Sequence, residues 1–479
     1  MPNDDLTPEQ RAAITELLHR AVPPVADELG RRFAAAGHAL ALVGGPVRDA
    51  LLRRENNDLD FTTDAPPARI LEIIEGWADA VWTIGIEFGT VGLRKGEHQL
   101  EVTTYRSESY DPKSRKPEVF YGTSLEEDLR RRDFAVNAMA YTLPGHVFVD
   151  LFGGFTDLQS RVLRTPGLPA DSFGDDPLRM LRAARFTSQL GFTVDPSVVG
   201  AMEDMAGRIE IVSAERIRDE LSKLICGAFS REGLAVLVGT GLAAHVLPEL
   251  PMLQLEIDEH HRHKDVYDHS LIVLEQAIEQ EEAGPDLVLR LAALLHDIGK
   301  PKTRSFEPGG RVSFHHHEVV GAKMTKARLT ALRYPKEIIT DVSRLVELHL
   351  RFHGYGTGEW TDSAVRRYVR DAGPLLTRLH KLTRADCTTR NTRKAELLSR
   401  TYDDLEARIE RLAAEEELAA IRPDLDGNEI GEILGIPPGP MIGKAHKFLM
   451  EVRLDQGPIG KEAATALLKD WARTNLDLA

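Results

Sequence analysis

The stretch that most constrains this chain runs from Gly44 to Thr63, GGPVRDALLRRENNDLDFTT. The apolar run Ala39 to Val43 before it reads as a buried strand. Gly44-Gly45 then lets the backbone turn sharply and approach a ligand closely. Pro46 suits the first turn of a helix, whose free N–H groups would face an anion. Arg48 adds a positive charge suited to phosphate oxygens, and Asn56-Asn57 turns the chain into Asp58-Leu59-Asp60-Phe61. On a strand, residues i and i+2 share a face, so Asp58 and Asp60 present two carboxylates on one side while Leu59 and Phe61 enter the core. Paired carboxylates beside a phosphate pocket make a magnesium site. Each half alone is ordinary, a turn or a solvated strand end; it is their order and spacing that narrow the reading.

At 479 residues the chain exceeds one core, and its length suggests about three domains. It contains no apolar run long enough for a membrane span, and its polar, acidic start is unlike a signal peptide, so a cytoplasmic protein without membrane contact is expected. Cys226 and Cys387 are too few and too far apart for a disulfide framework or a cysteine zinc site. The net charge of −15 argues mildly against a nucleic-acid partner, but distribution matters more than the average. Arg366, Arg367, Arg370, Arg378, Lys381, Arg384, Arg390, Arg393 and Lys394 face only Asp371 and Asp386 in the same stretch. That is either an RNA-binding stripe or a solvated helix face.

Taken in order, Thr7-Pro8-Glu9-Gln10 forms a capping box, so a helix starts there, breaks near Pro23-Pro24 and resumes to Gly37. After the carboxylate strand, Pro66-Pro67 opens a helix, and Val81–Ile84, Gly89–Leu93 and Gln99–Tyr105 read as short strands. Glu101 lies on the last of these, where it could pair beside Asp58 and Asp60 as a third acid. Residues 106–123 are polar, with two prolines and no period, and read as a loop. Strands Ala140–Leu143 and Val147–Leu151 complete a sheet, after which the pattern is almost wholly helical.

The Gly44–Thr63 stretch resembles the signature of the polymerase-beta-like nucleotidyltransferases, in particular the class II CCA-adding tRNA nucleotidyltransferases and bacterial poly(A) polymerases. Later motifs arrive in that family's order. Asp128, Arg131, Arg132 and Asp133 match its Asp-x-x-Arg-Arg-Asp signature, which implies contacts to the ribose and phosphates of an incoming nucleotide; Asn137 is an alternative neighbour of that pocket. Asp175, Asp176 and Arg179 match Glu-Asp-x-x-Arg, with Asp in place of Glu at 175. Three apart on a helix, Asp176 and Arg179 would share a face. Their acceptor and donors suit the edges of cytosine (amino group and N3) and adenine (amino group and N1). Uracil and guanine present the reverse pattern, and each unpaired group costs about 1–3 kcal/mol.

A second constellation follows. His269, the doublet His296-Asp297 at the end of an apolar helix, His317, His349 and Asp386 supply histidines and carboxylates over several helices, a donor set for divalent metals and phosphoester hydrolysis. The order resembles the HD metal-dependent phosphohydrolases, and His317-Glu318-x-x-Gly321-Ala322 selects His317 over His315 and His316. Nitrogen-rich ligation favours nickel, manganese or iron over magnesium, and Lys300 is near enough in sequence to meet a phosphate.

These resemblances imply an α+β protein: N-terminal helices (1–34), a nucleotidyltransferase head with a mixed sheet (35–168), a nucleobase-reading neck (169–235), an HD-containing helical body (236–395) and a tRNA-binding tail (396–479). The implied function is template-independent CCA addition to tRNA from CTP and ATP. Asp58 and Asp60 would hold magnesium, and Glu101 would be a third catalytic acid or else an exposed strand residue. Gly44, Gly45, Arg48, Asp128, Arg131, Arg132, Asp133, Asp176 and Arg179 would bind nucleotide, and Arg366, Arg367, Arg370 and Lys381 would bind RNA. Alternatives are poly(A) addition, CC-only or A-only addition, or an HD phosphohydrolase acting on RNA ends; a homodimer is compatible with all of them.

Overall fold

The computed structural model describes residues 6–54, 58–109, 118–121, 124–254, 265–308, 312–352, 355, 360–387, 392–416 and 421–475. They form two compact units, Met1–Pro251 and Met252–Ala479. Segment 236–251, assigned to the body from sequence, belongs to the first unit, where the short helix Ala243–Val246 packs on Ala206–Ile211 and Ser230–Gly239.

The first unit opens with α1 (Pro8–Ala21), whose Thr7 and Gln10 cap each other reciprocally as the capping box requires, and α2 (Pro24–Ala35). Then come β1 (Leu40–Val43), α3 (Gly45–Leu51), β2 (Asp58–Thr63), α4 (Pro67–Ile74), β3 (Ala80–Trp82), β4 (Thr90–Lys95) and β5 (His98–Thr104). β6 (Arg106–Ser109), β7 (Glu118–Tyr121), α5 (Leu125–Arg130), β8 (Met139–Leu143) and β9 (Val147–Asp150) complete the head. The seven-stranded sheet has the order β3-β4-β5-β2-β1-β8-β9, antiparallel except for the parallel pair β2–β5. Its buried residues include Leu42, Phe61, Leu93, Val102 and Tyr141. The segment expected to be only a loop instead pairs β6 with β7 antiparallel; its central residues 110–117 lie outside the described residues, as does the Asn56-Asn57 turn.

Helices follow: α6 (Gly154–Ser160), α7 (Pro169–Asp175), α8 (Leu178–Leu190), α9 (Pro196–Met205), α10 (Ala214–Ile225) and α11 (Ser230–Gly239). Helix α8 is buried nearly all round and packs on α10 and α11.

In the second unit, α12 (Val266–Ile278), α13 (Leu287–Leu295), α14 (His317–Ala331), α15 (Lys336–Leu348), α16 (Asp362–Ala372) and α17 (Leu376–Asp386) build one helical core. A long α18 (Thr392–Glu416) leads to α19 (Gly427–Leu434), α20 (Pro440–Gln456) and α21 (Lys461–Asn475). These last three enclose a core of their own, including Ile430, Leu449 and Leu468.

Candidate active site and metal centre

The period-2 logic of β2 holds: Asp58 is exposed and Asp60 half-buried, while Leu59 and Phe61 are buried. Parallel pairing places Glu101 directly beside Asp60. Burial pushes the Asp60 carboxyl up to about 6, with Glu101 and Asp58 adding to the shift and Arg132 working against it. A cluster of carboxylates that resists carrying its own charge, with oxygen donors only, fits magnesium. Arg132 stands between this cluster and the glycine turn. Gly44 has φ +74°, a conformation that favours glycine, and a Cβ there would lie 2.8 Å from Arg132 Nη1, so the arginine head would have to move. Gly45 is the first residue of α3, and no side chain caps that helix start, leaving its amides available. Asp128 holds Arg132 by a 3.3 Å contact from Nη2.

Arg48 departs from expectation. Its guanidinium does not face the turn: Nη1 donates to Asn137 Oδ1 at 2.7 Å, Nε and Nη2 donate to Asp49, and the group packs over Phe186. Asp133 is likewise turned inward rather than toward a nucleotide. Its carboxylate accepts from Phe134 N at 2.8 Å, from Asn137 Nδ2 at 2.9 Å and from Arg182 Nε at 2.7 Å. Burial opposes its charge, but Arg182 and Asn137 outweigh that and hold its pKa far below the ordinary range. The network continues through Arg182 to buried Glu220, 3.7 Å away, which Arg185 also meets at 3.1 Å. Sequence reading missed Arg182, Arg185 and Glu220. The signal was an arginine row at 179, 182 and 185 among the apolar residues 178–186, which needs acidic partners from elsewhere.

Asp176 and Arg179 do not share a helix face. Asp176 ends α7 in extended conformation (φ −144°, ψ 101°), and α8 begins after Pro177. Its Oδ1 accepts from Leu178 N at 3.1 Å and its Oδ2 from Arg216 Nη2 at 2.8 Å. Arg179 donates to the Ser172 hydroxyl at 2.9 Å and to the Arg131 carbonyl. The two side chains still flank one helix junction, tied there by partners that sequence reading did not foresee. The Arg179–Arg131 contact links this junction to the Arg-Arg-Asp segment.

The second unit brings all six histidine and aspartate candidates together. His269, His296 and Asp386 form one group, and Asp297, His317 and His349 another, each with ligand atoms within 4.8 Å of one another. Asp297 bridges them, with Oδ2 3.2 Å from His296 Nε2 and Oδ1 3.2 Å from His317 Nε2. His296, His317 and His349 each donate Nδ1–H to the carbonyl three residues earlier, at 2.8, 2.8 and 2.6 Å, which turns Nε2 toward the cluster. The Nε2 atoms of His317 and His349 are buried and make no hydrogen bond, as metal ligands would. Burial works against charge on His296, but Asp297 and Asp386 outweigh it and lift its pKa to about 10; burial and the His296 charge push His349 down to about 3. Two buried carboxylates thus call for positive charge at the centre of the cluster, and the donor set fits divalent transition metals. Gly299 permits the assembly, since a Cβ there would lie 2.1 Å from the His317 carbonyl oxygen. Lys300 Nζ lies 2.8 Å from Asp297 Oδ2, whereas His315 and His316 are exposed.

The arginine stripe is not bare charge. Arg366 is buried, donating to the Leu454 carbonyl at 3.1 Å. Arg367 bridges Asp455 and Glu451 at 2.8 Å each, and Arg370 pairs with Asp371 at 3.2 Å. Arg378 pairs with Asp286, Arg384 with Asp403 and Glu406, and Lys381 lies 4.0 Å from Glu282. These cations fasten α16 to α20 and α17 to its neighbours; the side chains of 390 and 394 lie outside the described residues.

The strand–glycine turn–carboxylate strand of the first unit defines the nucleotidyltransferase class. The chain matches the poly A polymerase head domain over residues 40–164, the probable RNA and SrmB-binding site of polymerase A over 191–253, and the HD domain over 266–391. It is 35% identical over 439 residues to an A-adding tRNA nucleotidyltransferase of Deinococcus radiodurans, spanning 90% of this chain and 95% of that one. A CCA-adding enzyme of Bacillus subtilis is 39% identical over 268 residues, 56% of this chain and 64% of the relative. The fold is that of a solved Bacillus stearothermophilus CCA-adding enzyme in complex with CTP (TM-score 0.68, 24% identity, covering 95% of this chain and 99% of that one). The chain belongs to the bacterial class II CCA-adding tRNA nucleotidyltransferase and poly(A) polymerase family, with an HD domain.

Proposed function

We propose that the protein adds CCA to the 3′ end of tRNA, without a template, from CTP and ATP. The observation that carries this reading is the set of three carboxylates, Asp58, Asp60 and Glu101, on one edge-to-edge strand pair beside Arg132 and the Gly44 turn. Magnesium held there would supply charge neutralisation at the triphosphate and acidify the primer hydroxyl. Arg132 and the α3 amides offer donors to the triphosphate oxygens, while Asp133, Arg182 and Asn137 keep the Arg-Arg-Asp segment rigid. Asp176 and Arg179 provide one acceptor and a set of donors for the edge of C or A, once a base replaces Arg216 and the Arg131 carbonyl as partners. A CCA-adding enzyme of the same fold binds CTP, in keeping with this reading.

A second reading, A-only addition, is favoured by the near-full-length relative from Deinococcus radiodurans, which is an A-adding enzyme. A transcript ending at the discriminator base separates the two: CCA addition extends it with CTP alone, whereas an A-adding enzyme extends only transcripts that already end in CC.

We also infer that the HD cluster is a transition-metal phosphohydrolase for cyclic or terminal phosphates on RNA ends. Removing such groups would restore the hydroxyl that the head extends. The two buried Nε2 atoms without hydrogen bonds and the bridging Asp297 support it.

A further inference from the structure

Outside both sites, His19, Asp27 and His146 bring three ligand atoms within 4.8 Å of one another, although they come from three separate pieces of chain. His19 lies in the last turn of α1, Asp27 in the first turn of α2, and His146 in the turn between β8 and β9. The two helices are held against this end of the sheet independently. Arg11 donates to the Phe148 carbonyl at 3.2 Å, and Gly30 abuts Leu143 so closely that a Cβ would lie 2.6 Å from the leucine Cβ. The three side chains therefore converge on a framework that does not depend on them.

Two details go beyond proximity. Asp27 Oδ1 is shielded from solvent and has no hydrogen-bond partner, which is costly for a carboxylate oxygen unless something positive meets it. His146 Nε2 lies 3.5 Å from it. The other nitrogen of that ring, Nδ1, lies 3.0 Å from the buried Tyr141 hydroxyl, which can accept from Nδ1–H; an ion bound at Nε2 would fix that tautomer. The His19 ring stands edge-on to His146, with centroids 4.7 Å apart. Ligands bound at about 2.0–2.2 Å in a tetrahedral site sit roughly 3.4 Å from each other. The His146–Asp27 spacing already meets that, and the exposed His19 closes the set by a small side-chain movement. A surface cavity of about 630 Å³ lined by Arg11, Thr15, His19 and His146 gives access for an ion and for water in a fourth position.

We propose that His19, Asp27 and His146 form a divalent metal site of the zinc type, distinct from the carboxylate cluster of the head and from the HD centre, that clips both N-terminal helices to the β8–β9 turn. Two imidazole nitrogens and one carboxylate oxygen suit zinc or cobalt and disfavour magnesium. The ion is structural, because the site lies at the far end of the sheet from Asp58: Leu143, just before the turn, pairs with Leu40, and Leu40 pairs with Thr63.

The test is equilibrium dialysis of the chelator-treated full chain against cobalt(II), which reports coordination through its visible absorption. Wild type is expected to hold one cobalt more per chain than either His19→Ala or Asp27→Asn, and both variants to lose the corresponding absorption and the cobalt-dependent rise in melting temperature. A His38→Ala control, removing a histidine paired with Asp64, should keep the wild-type count. Nucleotide addition should be unchanged in His19→Ala. Equal cobalt counts and equal spectra for wild type and both variants would overturn the site.

Discussion

Asp60 and Glu101 are direct partners across the one parallel strand pair of the sheet, with Asp58 two residues earlier on the same face. Replacing Asp60 or Asp58 by Ala should lower the rate of single-nucleotide addition on the order of a thousandfold, the scale of several kcal/mol of charge stabilisation. Glu101→Ala should lower it less, because Glu101 is the more exposed partner. Affinity for tRNA should stay within about twofold. Single-turnover rates at saturating magnesium check this; normal rates in Asp60→Ala would remove the cluster from the reaction.

Arg216 holds Asp176 Oδ2 at 2.8 Å, so it sets where the acceptor of the base-reading pair rests. Asp176→Ala and Arg179→Ala should raise misincorporation of UTP and GTP relative to CTP and ATP by about tenfold or more, the loss of roughly 1–3 kcal/mol of pairing. Arg216→Ala should give a smaller effect in the same direction. Competition assays with all four nucleotides decide it, and a uniform fall for every base would make the residues structural.

The Asp133–Arg182 pair links stability to pH. The folded carboxyl titrates far below the usual aspartate value of about 4, so its contribution is present above that value and drains away as pH falls below it. Asp133→Asn leaves Arg182 buried without its counter-charge and should cost about 3–5 kcal/mol at neutral pH. The gap in melting temperature between wild type and variant should stay constant down to about pH 5 and then narrow steadily as pH falls from about 4 toward 2. A constant gap over that range would contradict the linkage.

His296→Ala with Asp297→Ala should abolish both the opening of a 2′,3′-cyclic phosphate to a monoester and the release of phosphate from an RNA end carrying a terminal phosphate, measured with nickel, manganese or iron, while CTP and ATP addition persists. Wild type that hydrolyses no such end with any of these metals would mean the cluster binds metal without this activity.

What was legible in the sequence was what short-range geometry decides. Strand alternation placed Asp58 and Asp60 together, Thr7 and Gln10 announced α1, and the order of six histidines and aspartates gave the HD cluster. The helix break at Asp176 was also legible and was overlooked: the residue before a proline is pushed out of the helical region, and residue 177 is proline. The partners that hold Arg48 and Asp133, Asn137 and Arg182, were not legible because tertiary packing sets them. The counter-ions of the arginine stripe were hidden for the same reason, since Glu451 and Asp455 lie more than eighty residues beyond Arg367. Local charge counts cannot reveal a distant counter-ion.

The account is tested most directly by sequencing the 3′ ends of tRNA transcripts that lack CCA after incubation with the protein, magnesium and all four nucleotides. Termini reading CCA and then stopping are the expected result, absent with Asp60→Ala. Homopolymeric A tails, tails containing U or G, or unextended ends would contradict it.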